Sequence, residues 1–150
     1  MKKILLLLLI IPFCFACSDD DGNEEQRSIP DVKVNVPISL SYWRQLYSPL
    51  GTISMTEWNF KEVGYGGILV INGIGKEEIN LYAYDLSCPV ECDKSIKVNV
   101  TDEVKAKCPN CGAIYDIYYG IGNSENKPKY TLKSYKVKQS SSNLYYVTNE

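Results

Sequence analysis

Histidine is absent from this sequence of 150 residues. The absence excludes Ser-His-Asp and Cys-His catalysis, because both rely on an imidazole base. It also excludes the common metal sites that contain an imidazole ligand. Basic residues are not in excess either, since 16 Lys and Arg stand against 18 Asp and Glu. The sequence therefore lacks the basic footprint of nucleic-acid binding, and we expect no nucleic-acid partner.

A long apolar segment is lacking as well. The Leu-rich run at residues 4–13 has about ten residues, whereas a transmembrane helix needs roughly 20. This run follows the positive charges of Lys2 and Lys3. A basic start with a short apolar run is typical of a secretory signal peptide. We therefore predict a signal peptide over residues 1–16.

The end of this segment resembles the bacterial lipobox, in which a small residue precedes a cysteine. Here Ala16 precedes Cys17. The resemblance implies cleavage before Cys17 and acylation of its sulfur, which would hold the mature chain to a membrane. Each buried methylene of such acyl chains contributes about 0.8 kcal/mol to the anchoring. The alternative is a plain signal peptide followed by an incidental cysteine.

An acidic polar segment follows the cysteine. Residues 17–28 include the triplet Asp19, Asp20 and Asp21 and cannot bury apolar surface, so they are predicted to form a disordered tether. The triplet resembles the surface-export tag of certain Gram-negative lipoproteins, which implies an outer-membrane anchor with the domain at the cell surface. A periplasm-facing lipoprotein is the alternative. Loss of residues 1–16 leaves 14 basic and 18 acidic residues, a net charge of −4.

Residues 29–150 suffice for one domain, and their pattern is typical of β-structure. Apolar and polar residues alternate over 32–40, as a half-buried strand requires. Helical turns are predicted only within 41–46 and 101–107. Many short strands separated by turn residues favour a small all-β sandwich or barrel. The other predicted strands are 67–72 and 78–84, which form a hairpin, and 96–100, 113–119, 130–137 and 144–148.

The side chains outside the cysteine loops point to no enzyme. Tyrosine is abundant, with 12 residues, and it combines a large apolar area with a polar tip. Those on predicted strands are expected to cover sheet faces: Tyr82, Tyr84, Tyr115, Tyr118 and Tyr119. Exposed tyrosines could instead stack on a glycan, and the protein or glycan partner of such a module stays unidentified. The candidate catalytic carboxylates are Asp85, Asp93, Asp102 and Asp116, among which no acid–base pair is recognisable.

Four cysteines of the predicted domain fall in two short loops. The loops read Cys88-Pro89-Val90-Glu91-Cys92 and Cys108-Pro109-Asn110-Cys111. Two cysteine pairs with fifteen residues between them have the ligand spacing of a four-thiolate metal site. Cys88, Cys92, Cys108 and Cys111 are therefore the candidate metal ligands.

These loops and their surroundings resemble the Rieske iron–sulfur domains over roughly residues 64–147. LYAYDLSCPV at 81–90 is similar to the family's xAxxxxCPH, and CPNCGAIYDI at 108–117 is similar to its CPxHGxxFDL. KPKYTLKSY at 127–135 is similar to the closing GPAxxPLxxY. The resemblance implies a Rieske-like β-sandwich or barrel with a two-loop cysteine subdomain, and a [2Fe–2S] cluster as its cofactor.

The two histidine ligands of a Rieske cluster are replaced in this chain. Val90 stands at the first position and cannot bind a metal, whereas Cys111 stands at the second. Cys88, Cys108 and Cys111 thus match ligand positions. Cys92 could supply a fourth sulfur, or match the extra loop cysteine that forms a disulfide in some Rieske proteins. Without imidazole the chemistry of a true Rieske cluster is excluded, but the fold is not.

Three states of the four cysteines stay open: a [2Fe–2S] cluster, a zinc ion on the same thiolates, or two disulfides without a cofactor. The predicted signal peptide contains no twin arginine, so we expect export of an unfolded chain. A cluster would then have to assemble outside the cytoplasm, which counts against it. Disulfides are the usual fate of cysteine pairs in oxidising compartments. The first functional hypothesis is an envelope-anchored metal protein serving electron transfer or structure. The second is a disulfide-stapled binding or structural module on the cell surface.

Overall fold

The structure is a computed structural model that describes residues 28–150. The predicted signal peptide, Cys17 and the tether up to residue 27 lie outside the described residues. Within them, regular helix is confined to one 3₁₀ turn, Arg44–Tyr47. No helix in this part of the chain is long and apolar enough to cross a membrane. The prediction of an all-β fold is confirmed.

The strands of the described domain are short and antiparallel. In chain order they are β1 (Asn35–Ser39), β2 (Thr52–Met55), β3 (Glu57–Trp58), β4 (Lys61–Glu62), β5 (Ile68–Asn72), β6 (Leu81–Asp85), β7 (Asn99–Val100), β8 (Lys105–Lys107), β9 (Ile114–Asp116), β10 (Ser134–Ser141) and β11 (Leu144–Thr148). Six of them form one sheet in the order β1-β11-β10-β6-β5-β2, which curls into a half-barrel. β7, β8 and β9 form a second sheet, and β3 pairs with β4 as a hairpin.

Strands β5 and β6 are covered on both faces. Ile68 and Val70 of β5 pack into the interior of the half-barrel, whereas Leu69 and Ile71 pack against the cysteine-bearing subdomain. All four side chains are fully buried. A strand with two covered faces needs apolar residues at every position rather than at alternate ones. This explains why the sequence of β5 is a continuous apolar run.

The predicted hairpin at 67–72 and 78–84 is present, with Ile68 opposite Asp85 and Asn72 opposite Leu81. The predicted turn at 41–46 overlaps the 3₁₀ turn. The helical turn predicted within 101–107 is absent: its first half is a non-helical turn, and its second half is strand β8, which pairs with β7 and β9. β8 reads Lys-Ala-Lys, and only its alanine is fully buried, so hydrophobic periodicity could not reveal it.

A fully buried carboxylate links the main sheet to the loops beside the cysteines. Asp85 ends β6, and its carboxylate accepts hydrogen bonds from the backbone amides of Tyr65 (2.6 Å), Gly66 (3.0 Å) and Ser87 (2.8 Å). The Tyr135 hydroxyl of β10 donates a fourth bond at 2.6 Å. Burial and this carboxylate both raise the pKa of Tyr135, which keeps its hydroxyl protonated as a donor. A buried charge is tolerated here because every side of the carboxylate is met by a donor.

We predict that Tyr135→Phe lowers the free energy of unfolding by about 1.5–3 kcal/mol, because the buried carboxylate loses a charge-assisted hydrogen bond. Chemical denaturation monitored by tryptophan fluorescence measures the change. Tyr119→Phe is the matched control, since Tyr119 is 56% exposed, and it should stay within about 0.5 kcal/mol of wild type. Equal effects of the two substitutions would contradict the structural role of the bond.

Candidate metal centre

Two hydrogen-bonded loops carry the four cysteines of the domain. The first cysteine loop, residues 88–92, follows β6, and the Cys88 amide donates to Ile96 O at 3.1 Å. The second cysteine loop, residues 108–112, joins β8 to β9, and the Cys108 amide donates to Ala113 O at 2.8 Å. Each loop is therefore fixed to the neighbouring backbone at its first cysteine.

Three of the four cysteine sulfurs lie close together. The Sγ atoms of Cys88, Cys108 and Cys111 all lie within 4.8 Å of one another, and those of Cys88 and Cys111 are 3.6 Å apart. Two sulfurs on one tetrahedral zinc, with Zn–S bonds of about 2.3 Å, lie about 3.8 Å apart. The three cysteines are thus close to the spacing at which they could hold a single metal ion.

Two of the three converging sulfurs are buried in the protein core, and the third lies nearer the surface. Cys88 and Cys108 are fully buried and belong to the core beneath the subdomain, together with Tyr84 and Tyr115. Cys111 is partly exposed. A metal bound here would be shielded from water by the core and still be reachable from the side of Cys111.

Hydrogen bonds favour the thiolate form of Cys88. Burial raises the pKa of its thiol, but hydrogen bonds from the Tyr115 hydroxyl and from the backbone amides of Glu91 and Val90 outweigh burial, and the net shift is downward. The Tyr115 hydroxyl lies 3.4 Å from the sulfur in a buried contact. Burial and this contact raise the pKa of Tyr115, so the phenol stays protonated. These contacts therefore favour the Cys88 thiolate, the form that binds a cation.

Cys111 is shifted in the opposite direction. Burial raises the pKa of its thiol to about 12, with further contributions from the Cys108 and Cys88 sulfurs, against a hydrogen bond from the Ala113 backbone. Neighbouring sulfurs oppose a further negative charge unless a cation balances them. Metal binding at this cluster would therefore be coupled to release of the Cys111 proton.

Cys92 lies outside the group of converging sulfurs. Its Sγ hydrogen-bonds the Pro89 carbonyl oxygen at 3.0 Å, and its backbone has a positive φ of 51°. The structure thus brings together three of the four predicted ligands. No disulfide joins any of the four cysteines in the described domain, so the stapled state is not the one observed.

Two contacts beside the sulfurs were not expected from the sequence. Tyr115 lies on β9 and packs in the core, as predicted, but its hydroxyl also contacts the Cys88 sulfur. Asn110, for which no role was predicted, donates from Nδ2 to Glu91 Oε1 of the other loop at 2.8 Å. The one feature of the sequence that could have indicated a role for Tyr115 is its position within the segment that resembles the second Rieske loop.

Three of the candidate carboxylates have structural partners. Asp85 is enclosed by the four donors described above. Asp93 accepts hydrogen bonds from the backbone amide and hydroxyl of Ser95 at 2.8 and 2.7 Å, and these bonds lower the pKa of its carboxyl. Asp116 accepts a hydrogen bond from the backbone amide of Tyr118 at 3.3 Å. These three carboxylates therefore make local structural contacts.

Comparison with known proteins supplies no relative for this site. The chain matches no protein-family model and has no significant match among curated proteins or solved structures. The interpretation of the site therefore depends on its own geometry.

We predict that Tyr115→Phe weakens metal binding about 10–100-fold, because groups that hydrogen-bond a ligand have effects of this size. Competition with a chromophoric chelator measures the affinity. Tyr84→Phe is the matched control, since Tyr84 is buried in the same core but donates to the Ile117 carbonyl oxygen at 3.0 Å. An affinity unchanged by Tyr115→Phe, or equally reduced by both substitutions, would refute a specific role for the phenol.

Proposed function

We propose that this protein is an envelope lipoprotein whose Rieske-like domain holds one tetrahedral metal ion of the zinc class on cysteine thiolates. The ion fastens the two cysteine loops to each other and to the sheet beneath them. The observation that carries the proposal is the convergence of Cys88, Cys108 and Cys111 within 4.8 Å. Ligands drawn from two separate loops are what a structural metal site requires.

The spacing of the sulfurs favours one ion over a [2Fe–2S] cluster. A two-iron cluster divides its four ligands into two pairs at opposite ends, so a third sulfur cannot lie close to both members of one pair. Here the three sulfurs are mutually close, and the chain has no histidine for a second iron. The residues therefore do not fit a Rieske cluster, and we assign no electron-transfer step to one.

A structural role suits the small size of the subdomain. Its sheet consists of β7, β8 and β9, with two or three residues each. Strands of this length have little stability of their own. An ion present at a thousand times its Kd would add about 4 kcal/mol to the stability of the folded state.

The relation to Rieske domains is supported by the order of parts. β6 leads into the first cysteine loop, and the second cysteine loop turns β8 into β9. The segment that resembles the closing Rieske motif leads into β10, where Tyr135 reaches the buried carboxylate at the end of β6. We propose that the fold has kept the Rieske arrangement while its ligand set has changed.

The disulfide-stapled module is the second candidate function. It is favoured by one observation, the 3.6 Å separation of the Cys88 and Cys111 sulfurs, because a disulfide between the two loops would need only a small approach. The bonded distance is about 2.05 Å. In this case the subdomain would be held by a covalent bond, and the cell surface would present a binding module without metal.

Metal analysis of the mature protein, purified anaerobically, distinguishes these states. We expect about one zinc per chain, no acid-labile sulfide, and thiols that react only after chelation. Chelation should also lower the unfolding midpoint of wild type but not of Cys108→Ser. Iron with sulfide would support the cluster, whereas absence of both metal and reactive thiols would support the disulfides; either result would overturn the proposal.

The proposed membrane anchor is a lipid on Cys17. It is supported by the resemblance to a lipobox and by the acidic triplet that follows. We predict that Cys17→Ser moves the protein from the detergent phase to the aqueous phase, because the acyl chains are lost. Phase partitioning of cell extracts with immunodetection measures the shift. Cys14→Ser is the matched control and should remain membrane-bound. Retention of the Cys17→Ser protein in the membrane would contradict lipid anchoring at this residue.

A further inference from the structure

The two cysteine loops have the same backbone geometry, offset by 20 residues. Each begins Cys-Pro and makes a turn over the next three residues. Each is closed by a hydrogen bond from its fifth amide to its first carbonyl, Cys92 to Cys88 at 2.9 Å and Gly112 to Cys108 at 3.1 Å. The fifth residue has a positive φ in both, 51° for Cys92 and 68° for Gly112. The loops are therefore structural repeats of one turn.

This equivalence changes which residues correspond. Cys88 corresponds to Cys108, as expected for the first ligand of each loop. Cys111 is the fourth residue of the second loop, and its counterpart in the first loop is Glu91 rather than Cys92. Cys92 corresponds to Gly112, a residue with no side chain to offer. The converging cysteines thus occupy the first position of both loops and the fourth position of one.

We infer that Glu91, and not Cys92, supplies the fourth ligand of the metal centre, which is then a three-thiolate, one-carboxylate site. The inference deepens the proposed function and depends on it. The fourth position of the second loop directs Cys111 toward the sulfurs, and the same turn places Glu91 at the matching point of the first loop. Zinc also binds carboxylate oxygen, at about 2.0–2.2 Å.

The Glu91 side chain already extends across to the second loop. Its Oε1 accepts the hydrogen bond from Asn110 Nδ2 at 2.8 Å, which holds the carboxylate beside the residue that precedes Cys111. A carboxylate has two oxygens, so Oε2 can bind an ion while Oε1 keeps the amide bond. Hydrogen-bonded carboxylates of this kind are typical of metal sites.

Cys92 has a different local role. Its sulfur hydrogen-bonds the Pro89 carbonyl oxygen within its own loop. Its sulfur is not among the three that lie within 4.8 Å of one another. Its backbone amide makes that closing bond, and any side chain tolerated at a positive φ could do the same. We therefore expect metal binding to be insensitive to its sulfur.

Titration of the reduced, full mature chain with Zn²⁺ and Co²⁺ tests the assignment. We expect Glu91→Gln to weaken Zn²⁺ binding at least about ten-fold. Loss of a residue that only hydrogen-bonds a metal ligand already reduces metal affinity by about that factor. Cys92→Ser, the matched control in the same loop, should stay within about two-fold of wild type. The sulfur-to-cobalt charge-transfer absorbance per bound ion should be unchanged in Cys92→Ser and fall by about one third in Cys111→Ser, because three thiolates bind.

A variant that adds a thiolate ligand gives a second test, because a misfolded protein could lose metal binding but could not gain charge-transfer absorbance. Glu91→Cys should raise the charge-transfer absorbance per cobalt by about one third, because a fourth thiolate replaces the carboxylate. Loss of absorbance in Cys92→Ser with no effect of Glu91→Gln would overturn the assignment of Glu91 while leaving the metal site in place. So would an absence of effect from both substitutions. Failure of wild type to bind either ion would instead overturn the proposed function itself.

Discussion

The buried carboxylate of Asp85 is the interaction on which the arrangement of the cysteines depends. It has no access to water, so its charge must be met by protein donors. The donors come from three parts of the chain: the glycine-rich loop before β5, Ser87 next to the first cysteine loop, and Tyr135 of β10. Satisfying one charge thus joins the sheet to the segment that begins at Cys88. Gly66 is required there, because a Cβ at that position would lie 2.1 Å from the Ser87 hydroxyl.

The second constraint is the small size of the cysteine subdomain. Three strands of two or three residues cannot form a core by themselves. The subdomain packs against one face of β5 and β6. These two strands must therefore bury apolar side chains on both of their faces. Its two loops still have to be held together at their tips, where the Asn110–Glu91 hydrogen bond is exposed. A metal ion on the sulfurs of Cys88, Cys108 and Cys111, as proposed, would link the two loops at this point.

Sequence patterns predicted the regular parts of the fold because those parts follow local rules. The alternation at 32–40 and the apolar run of β5 reflect burial on one face and on two faces, and both segments are strands. β8 was not predicted because it has a single buried residue, an alanine between two lysines, which is too little to show an alternating apolar pattern. The short hairpin of β3 and β4 was not predicted because Asn59 and Phe60 form its turn with positive φ, which is unusual for phenylalanine.

The sequence by itself determined the chemistry that is available, namely no imidazole and four cysteines in two loops, and it carries the prediction of a signal peptide over residues 1–16. These conclusions need only residue identity and short spacing. Tertiary structure decided which sulfurs meet, because convergence depends on how β8 and β9 dock the second loop against the first. From cysteine spacing alone, Cys92 and Cys111 were equally good candidates for a metal ligand. The turn geometry instead pairs Cys111 with Glu91, since equivalence of positions in two loops is a property of backbone conformation, not of residue type.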